Sequence, residues 1–266
     1  MNLSFKLTDP PPALAVTQSI EPLIDPVFIS DLHLAPERPA TLQRFFEFMR
    51  ADAPRHLELV ILGDLFEFWI GDDAAAAAKP VIDALAAASK AKQRVFLMHG
   101  NRDPLIGHEF ARAAGATLLA DPIIVDVAAT PTLLSHGDAW CTHDLAYQQF
   151  RAMARNADNQ RGFLAKSVEE RIAMAKGARM LSDTTKSNKA MDIMDVTPEA
   201  VAAALESSGV RRIIHGHTHR PAAHVIDCDG SAAERWVLPD WDLDDAEPRG
   251  GYLDFVEGRP RLVFFD

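Results

Sequence analysis

One pattern recurs along this chain and limits the folds that it can adopt. A short apolar run ends directly in a group of Asp, Asn or His residues, and a longer helical or irregular stretch follows. Short apolar runs that are separated in this way predict the buried strands of an α/β sheet. The runs are residues 27–30, 59–62, 95–98, 133–135 and 212–215.

The polar residues at these strand ends are expected to lie together. In α/β sheets, ligands bind outside the carboxyl ends of the strands. A single Asp at a strand end is often only a cap or a turn residue, but five polar strand ends in one chain predict a shared site. The residues concerned are Asp31, His33, Asp64, Asn101, His136, His215, His217 and His219.

This set of side chains indicates metal chemistry. Carboxylate and amide oxygens combined with imidazole nitrogens suit Mn²⁺, Fe or Zn²⁺ rather than a thiolate site. The set is too large for one tetrahedral ion, but it fits two ions about 3.5–4 Å apart that share a carboxylate. The sequence therefore predicts metal-assisted hydrolysis of a phosphate ester or anhydride.

Helices are expected between the strands. Amphipathic patterns predict helices over residues 41–51 and 79–92, and Thr197 with Pro198 marks the start of another. Asp103 followed by Pro104 is typical of an N-cap and a first helical residue, so we expect a helix to begin there. Further strands are predicted at residues 123–127, 235–238, 251–256 and 261–265.

Composition narrows the class of protein. A chain of 266 residues that is 48% apolar can bury one large core, and no apolar run approaches the roughly 18 residues needed to cross a bilayer. We expect no signal peptide, because the first residues contain no compact apolar segment. Cys141 and Cys228 lie in unrelated contexts, which suits a reducing compartment. The net charge of −11 argues against general nucleic-acid binding.

The predicted organisation is one domain with an extension and an insert. Residues 1–26 contain five of the seventeen prolines and no periodicity, so we expect an irregular extension. The domain should then cover residues 27–266, with a helical insert at about 144–190.

The insert differs in charge from the rest of the chain. Residues 151–189 contain nine basic and four acidic residues, a net charge of +5, which leaves −16 on the remainder. Five of the eight methionines lie between residues 150 and 194, and Met adapts to irregular apolar ligands. One interpretation is a cap that receives acyl chains and binds an anionic partner. The alternative is an amphipathic helix pair with its apolar side on the core and a solvated basic side. The apolar residues concerned are Phe150, Met153, Phe163, Leu164, Val168, Ile172, Met174 and Met180.

The strand ends together resemble the signature of the calcineurin-like metallophosphoesterases. The five blocks, in order, are Asp31-x-His33, Gly63-Asp64, Gly100-Asn101, His136-Gly137 and Gly216-His217-x-His219. The resemblance implies two packed mixed β-sheets flanked by helices and two metal ions. It assigns Asp31, His33, Asp64 and His219 to one ion, and Asp64, Asn101, His136 and His217 to the other. Asp64 is then the bridge, and His215 matches no ligand position.

One position departs from the general family pattern. Most members have His after the Asn, whereas this chain has Arg102, which cannot donate a proton at neutral pH. The Gly-Asn-Arg-Asp form is similar to the UDP-2,3-diacylglucosamine pyrophosphatases of lipid A synthesis. For Arg102 alone, a surface salt bridge is the alternative, and for Asp144 and Tyr147 it is an ordinary helix start and a half-buried ring.

The resemblance to this subfamily assigns further roles. Catalysis falls to Asn101, Arg102 and His136. Lys186 stands where the subfamily usually has Asn, and Asn188 lies nearby. The implied substrate contacts are Asn101, Arg102, Asp144, Tyr147, Ser182, Lys186, Lys189 and His217.

These roles imply a Mn²⁺-dependent enzyme with two ions per chain. It would hydrolyse UDP-2,3-diacylglucosamine to UMP and 2,3-diacylglucosamine 1-phosphate on the cytoplasmic face of the inner membrane, as a peripheral protein. No nucleic-acid or protein partner is inferred. A phosphodiesterase or nucleotidase for a soluble substrate is one alternative, and a metal-stabilised membrane-binding module without turnover is another.

Overall fold

The structure is a computed structural model that describes residues 18–186, 195–228 and 230–265, with the backbone alone from residue 180 to 186. Within these ranges, two mixed β-sheets pack face to face and helices cover their outer sides. The predicted architecture is thereby confirmed.

The first sheet has the strand order β11-β10-β1-β2-β3-β4. β1 to β4 run parallel to one another. β10 and β11 are added at the β1 edge, where β10 is antiparallel to β1 and β11 is antiparallel to β10. The carboxyl ends of β1, β2 and β3 therefore lie along one edge. The strands are β1 (Pro26–Ile29), β2 (Glu58–Leu62), β3 (Arg94–Met98), β4 (Ala116–Leu119), β10 (Gly251–Val256) and β11 (Arg259–Phe264).

The second sheet has the order β5-β6-β7-β9-β8. β6, β7 and β9 are parallel, and β5 and β8 are antiparallel strands at the two edges. The strands are β5 (Ile123–Val127), β6 (Thr130–Ser135), β7 (Arg212–His215), β8 (Ala222–Cys228) and β9 (Ser231–Val237).

The helices follow the predicted pattern, with the insert contributing three of the seven described. Pro39 opens the first helix, where its missing N–H costs nothing. The helices are α1 (Pro39–Ala51), α2 (Lys79–Lys90), α3 (His108–Ala114), α4 (Leu145–Ala154), α5 (Ala157–Leu164), α6 (Val168–Lys186) and α7 (Pro198–Ser208).

Strand alternation divides the core between the two faces of the first sheet. Val27 and Ile29 pack outward against Phe45 of α1. Phe28, between them in sequence, points the other way and packs with Ile214 of β7. Both faces of β1 are buried, which explains why this run is apolar throughout.

Two local predictions need correction. The helix expected at Asp103 begins instead at His108. The Asp103 carboxylate accepts hydrogen bonds from the backbone N–H groups of Gly100 and Leu65, both at 2.8 Å, so it joins two strand ends. β4 and β8, both edge strands, were not predicted.

The structure describes the last part of the predicted irregular extension. Residues 18–25 are largely irregular, but Leu23 is fully buried and forms a bridge with Val127. The packed part therefore begins before Pro26. Residues 1–17 of the predicted extension lie outside the described residues. Among the described helices, none has the length and apolarity needed to cross a membrane.

Candidate metal centre

The site lies where the carboxyl ends of strands from both sheets meet. Asp31 and His33 follow β1, and Asp64 follows β2. His136 follows β6, and His219 lies in the turn after β7. The structure thus brings strand ends of both sheets together in one site.

The backbone at these positions is strained. Asp31, His33, Asp64, His217 and His219 all have positive φ, between 49° and 70°. This conformation costs non-glycine residues about 1–3 kcal/mol each and persists where the surrounding structure enforces it. The strain lies at the predicted ligand positions, which is typical of a functional site.

Two glycines let the backbone approach the carboxylates. A Cβ at Gly100 would lie 2.0 Å from Oδ1 of Asp64, and one at Gly216 would lie 2.3 Å from Oδ2 of Asp31. No real side chain fits at these distances, so glycine is required by close approach.

The first group of donors is Asp31, His33 and His219, whose ligand atoms all lie within 4.8 Å of one another. Nε2 of His219 is 3.7 Å from Oδ1 of Asp31 and 3.3 Å from Nε2 of His33. Oδ2 of Asp31 accepts bonds from the Ser30 hydroxyl (2.6 Å) and the His217 N–H (2.8 Å). Oδ1 of Asp31 is buried without a hydrogen-bond donor, so it is available to a cation.

The second group surrounds His136. Asp31, Asp64 and His136 form a donor set with all atoms within 4.8 Å. Nε2 of His136 lies 3.8 Å from Oδ1 of Asp64 and 3.1 Å from Oδ1 of Asn101. The His217 ring packs edge-on against the His136 ring, at 5.0 Å between centroids. Nδ1 of His136 lies 2.9 Å from the Leu62 carbonyl, which leaves Nε2 directed at the carboxylates.

The electrostatics of the site fit cations. Burial raises the pKa of the Asp64 carboxyl well above its usual range, although His136 beside it acts in the opposite direction. Burial alone lowers the pKa of His136, but Asp64 and Asp31 outweigh it and raise that pKa to about 9. Likewise the pKa of His219 is raised to about 10, because its contacts with Asp240 and Asp31 outweigh burial. The buried carboxylates therefore attract positive charge strongly, and divalent ions with these oxygen and nitrogen ligands would supply it.

Arg102 lies at the edge of the donor groups. Its backbone N–H donates to Oδ1 of Asp64 at 2.8 Å, and Nη1 lies 3.8 Å from Oε1 of Glu67. Its side chain is 16% exposed. Arg102 thus forms an ion pair, but inside the site rather than on the outer surface. Glu67 also approaches Nδ1 of His33 at 3.7 Å and contacts Arg179 of α6.

The structure describes the side chains of only some of the predicted substrate-binding residues. Asp144 caps α4 by accepting from the Tyr147 N–H at 3.0 Å, which is the ordinary helix start given as the alternative. The Tyr147 hydroxyl donates to Asp138 at 2.9 Å, and its ring lies 5.5 Å from that of His217. Lys189 lies outside the described residues, as do the side chains of Ser182 and Lys186.

His215 lies away from both donor groups. It is fully buried, its Nδ1 is 2.8 Å from the Gly216 carbonyl, and Trp140 packs edge-on against it. It belongs to neither donor group, and that it is not a ligand stays a prediction.

Two carboxylates at the site were not predicted from the sequence. Asp240 contacts Nδ1 of His219 at 3.2 Å, and Glu67 contacts His33 and Arg102. Asp240 comes shortly after β9, whose neighbours β6 and β7 also end in site residues. The strand-end rule would have found Asp240, although no chemistry was inferred from the chain beyond Ala222. Glu67 has no comparable signal.

Several arginines of the insert face the domain, while Arg161, Lys166 and Lys176 are exposed. Arg151 donates to the buried Asp138 at 2.9 Å, and Arg171 donates to Asp73 at 2.8 Å and to the Ile70 carbonyl at 2.6 Å. The alternative of a solvated basic side is therefore wrong for these arginines. Several apolar side chains of α4–α6 are instead exposed, namely Leu145, Phe150, Met153, Leu164 and Met174.

Comparison with known proteins agrees with this geometry. The family model described as calcineurin-like phosphoesterase matches residues 26–221. A Bordetella pertussis protein named UDP-2,3-diacylglucosamine hydrolase is 50% identical over 241 residues, which cover 89% of this chain and 93% of that protein. Proteins of the same name from Aromatoleum aromaticum and Pseudomonas aeruginosa are 48% and 46% identical, over 83% and 81% of this chain and 90% of each relative.

Proposed function

The chain belongs to the calcineurin-like phosphoesterase family, and from that membership we propose that it is a metal-dependent UDP-2,3-diacylglucosamine hydrolase of lipid A synthesis. The products are UMP and 2,3-diacylglucosamine 1-phosphate. The observation that carries the proposal is the position of Asp64, whose two oxygens face His33 and His136 at 3.9 Å and 3.8 Å. A carboxylate between two donor groups suits a dinuclear phosphoesterase.

Two divalent ions fit the donor groups, and we propose Mn²⁺. Bound divalent metal supplies Lewis-acid polarisation of a phosphoryl oxygen and lowers the pKa of water. One ion is assigned Asp31, His33, Asp64 and His219, and the other Asp64, Asn101, His136 and His217.

Arg102 suits a leaving group that departs as an anion without taking up a proton. The guanidinium fork binds two phosphate oxygens and stabilises negative charge, but it does not donate a proton. When water attacks the α-phosphorus, the bond to the bridging oxygen breaks and a sugar 1-phosphate leaves. Such a phosphate has a second pKa of about 6, so it leaves as a stable anion at neutral pH without a general acid. Arg102 in place of the usual His therefore suits a pyrophosphate substrate.

The substrate is a glycolipid, and we propose peripheral association with the cytoplasmic face of the inner membrane. Exposed apolar side chains of the insert, such as Met153 and Met174, support this association. Acyl chains and the membrane interior have the same chemistry, so these side chains suit both.

The test is turnover of UDP-2,3-diacylglucosamine by the full chain in H₂¹⁸O, with Mn²⁺ and after chelation. We expect hydrolysis only with metal and one ¹⁸O in UMP by mass spectrometry. Label in the sugar 1-phosphate would place the attack on the other phosphorus. Turnover that survives chelation, or hydrolysis of acyl-free UDP-sugars with equal efficiency, would overturn the proposal and favour a soluble substrate.

A further inference from the structure

Asp240 is a buried carboxylate directly behind one of the candidate metal ligands. It is 2% exposed, and its Oδ2 lies 3.2 Å from Nδ1 of His219. The other ring nitrogen, Nε2, points into the first donor group, 3.7 Å from Oδ1 of Asp31. His219 therefore has one nitrogen on a carboxylate and the other on the site.

This arrangement selects one form of the imidazole. A neutral imidazole has one N–H and one lone pair, and the hydrogen bond made by the N–H decides which nitrogen can bind metal. Donation of Nδ1–H to Asp240 leaves the lone pair on Nε2, on the side of Asp31. It also fixes the ring plane, because the carboxylate is itself held by Nε of Arg249 at 2.9 Å.

The backbone around Asp240 is attached to the ligand loops. The Trp241 N–H donates to the Asp31 carbonyl at 3.0 Å. Arg38 donates to the carbonyls of Trp241 (2.8 Å) and His33 (3.2 Å), and pairs with Asp242 at 2.7 Å. The segment that carries Asp240 is therefore tied by hydrogen bonds to the loop of Asp31 and His33, the other members of the first donor group.

We propose that Asp240 is a positioning residue for the metal site, which holds His219 with Nε2 directed at the ion shared with Asp31 and His33. The inference rests on the proposed metal-dependent function. It predicts that loss of Asp240 weakens one of the two metal sites and leaves the other unchanged, because His219 belongs to the first donor group alone.

The test is Mn²⁺ binding to the metal-free full chain, with free Mn²⁺ followed by electron paramagnetic resonance. Loss of such an outer carboxylate typically weakens metal binding about 10–100-fold. We expect Asp240→Ala to lie near the upper end of this range at one site. Asp240→Asn keeps an oxygen that accepts Nδ1–H, so it should lie near the lower end.

Asp245→Ala is the matched control. Asp245 also pairs with Arg249, at 3.3 Å, but its contacts do not include His219. This variant should bind both ions as tightly as the wild type. If Asp240→Ala and Asp245→Ala weaken binding equally, the acidic loop is merely structural and the proposal falls.

A spectroscopic readout separates positioning from stability. In the chain loaded with diamagnetic Zn²⁺, ¹⁵N NMR should show His219 protonated at Nδ1 and metal-bound at Nε2, and Asp240→Ala should lose this pattern. Wild-type affinity at both sites in folded Asp240→Ala overturns the proposal. If that variant does not fold, unchanged binding by Asp240→Asn overturns it. A wild type that binds Mn²⁺ without turning over the glycolipid contradicts the proposed function but not the role of Asp240.

Discussion

The two carboxylates of the first sheet face the site in different ways. Asp31 uses one oxygen for the Ser30 hydroxyl and the His217 N–H, and its other oxygen is buried without a donor. Asp64 directs its two oxygens at different histidines, His33 and His136. Asp31 also belongs to both donor groups by distance. The bridging role that we propose for Asp64 is therefore tested by substitution of that residue.

Asp64→Ala should abolish metal-dependent turnover while the fold survives. The change removes the carboxylate that we propose bridges the two ions, whereas β2 is held by five buried residues. We expect metal content after gel filtration to fall at both sites, as measured by inductively coupled plasma mass spectrometry. Asp83→Ala, at an exposed carboxylate on α2, is the control and should behave as wild type. Substantial turnover by Asp64→Ala with Mn²⁺ would contradict a shared bridge.

Arg102→Lys should impair catalysis although it keeps the charge. Lys lacks the planar fork that binds two phosphate oxygens. A charged hydrogen bond contributes about 1.5–3 kcal/mol, so kcat/KM should fall about tenfold or more with unchanged metal content. Arg112→Lys, at an exposed position of α3, is the matched control. Wild-type kinetics in Arg102→Lys would mean that Arg102 has no role in catalysis and only forms an ion pair with Glu67.

At the scale of elements, the insert is attached to the domain by its arginines. Arg151 and Arg155 both reach Asp138, and Arg171 reaches Asp73. Part of the positive charge of the insert is thus neutralised by ion pairs with acidic residues of the domain. Only the remainder is available to an anionic partner. Several apolar side chains of the insert also point to solvent, which is unusual for an amphipathic helix and favours an apolar ligand or surface.

The exposed methionines should contribute to binding of the diacylated substrate. Met153 and Met174 are 54% and 48% exposed, whereas Ile172 is half-buried, so Met153→Gln with Met174→Gln tests the surface with little risk to the fold. Loss of contact with about two CH₂ groups, at about 0.8 kcal/mol each, should raise KM roughly tenfold. Hydrolysis of bis(p-nitrophenyl) phosphate should not change.

The matched control for this surface is Val225→Gln, at a side chain of β8 that is 80% exposed and lies outside the insert. It should leave both activities unchanged. If the methionine variant loses both activities equally while its melting temperature is unchanged, the insert acts on the site rather than on the acyl chains.

At the scale of the whole molecule, the site joins the two sheets. Asp31, His33 and Asp64 follow strands of the first sheet, while His136 and His219 follow strands of the second. The sheets otherwise adhere through apolar side chains such as Phe28 and Ile214. Bound metal would therefore link the two layers at the edge where strained backbone and buried charge are concentrated.

Removal of metal should lower the melting temperature. Ligand at 100 times its Kd stabilises the native state by about 2.7 kcal/mol, and 1 kcal/mol shifts Tm by about 2–4 °C in a chain of this size. We expect scanning calorimetry to show a Tm lower by about 5–10 °C after chelation, and restored by Mn²⁺. Asp64→Ala should show no such response. An identical Tm with and without chelator would mean that metal does not link the sheets.

Features of the fold and the site that depend on local pattern were predictable from the sequence. Buried parallel strands are apolar on both faces, so β1, β2 and β3 were predictable, and their polar ends identified Asp31, Asp64 and Asn101. The edge strands β4 and β8 were not, because β8 is largely exposed and lacks a buried apolar run.

Contacts between groups far apart in the chain were not predictable, because they depend on how the elements pack. Asp103 reads locally as a helix cap, but it accepts backbone N–H groups from the end of β2. The orientation of the insert was also invisible, because composition gives its charge but not the acids Asp138 and Asp73 that pair with it. Asp240 and His219 are joined only when β9 lies beside β7. Such pairing depends on the fold, since hydrogen bonds between residues far apart in sequence leave no local period in the chain.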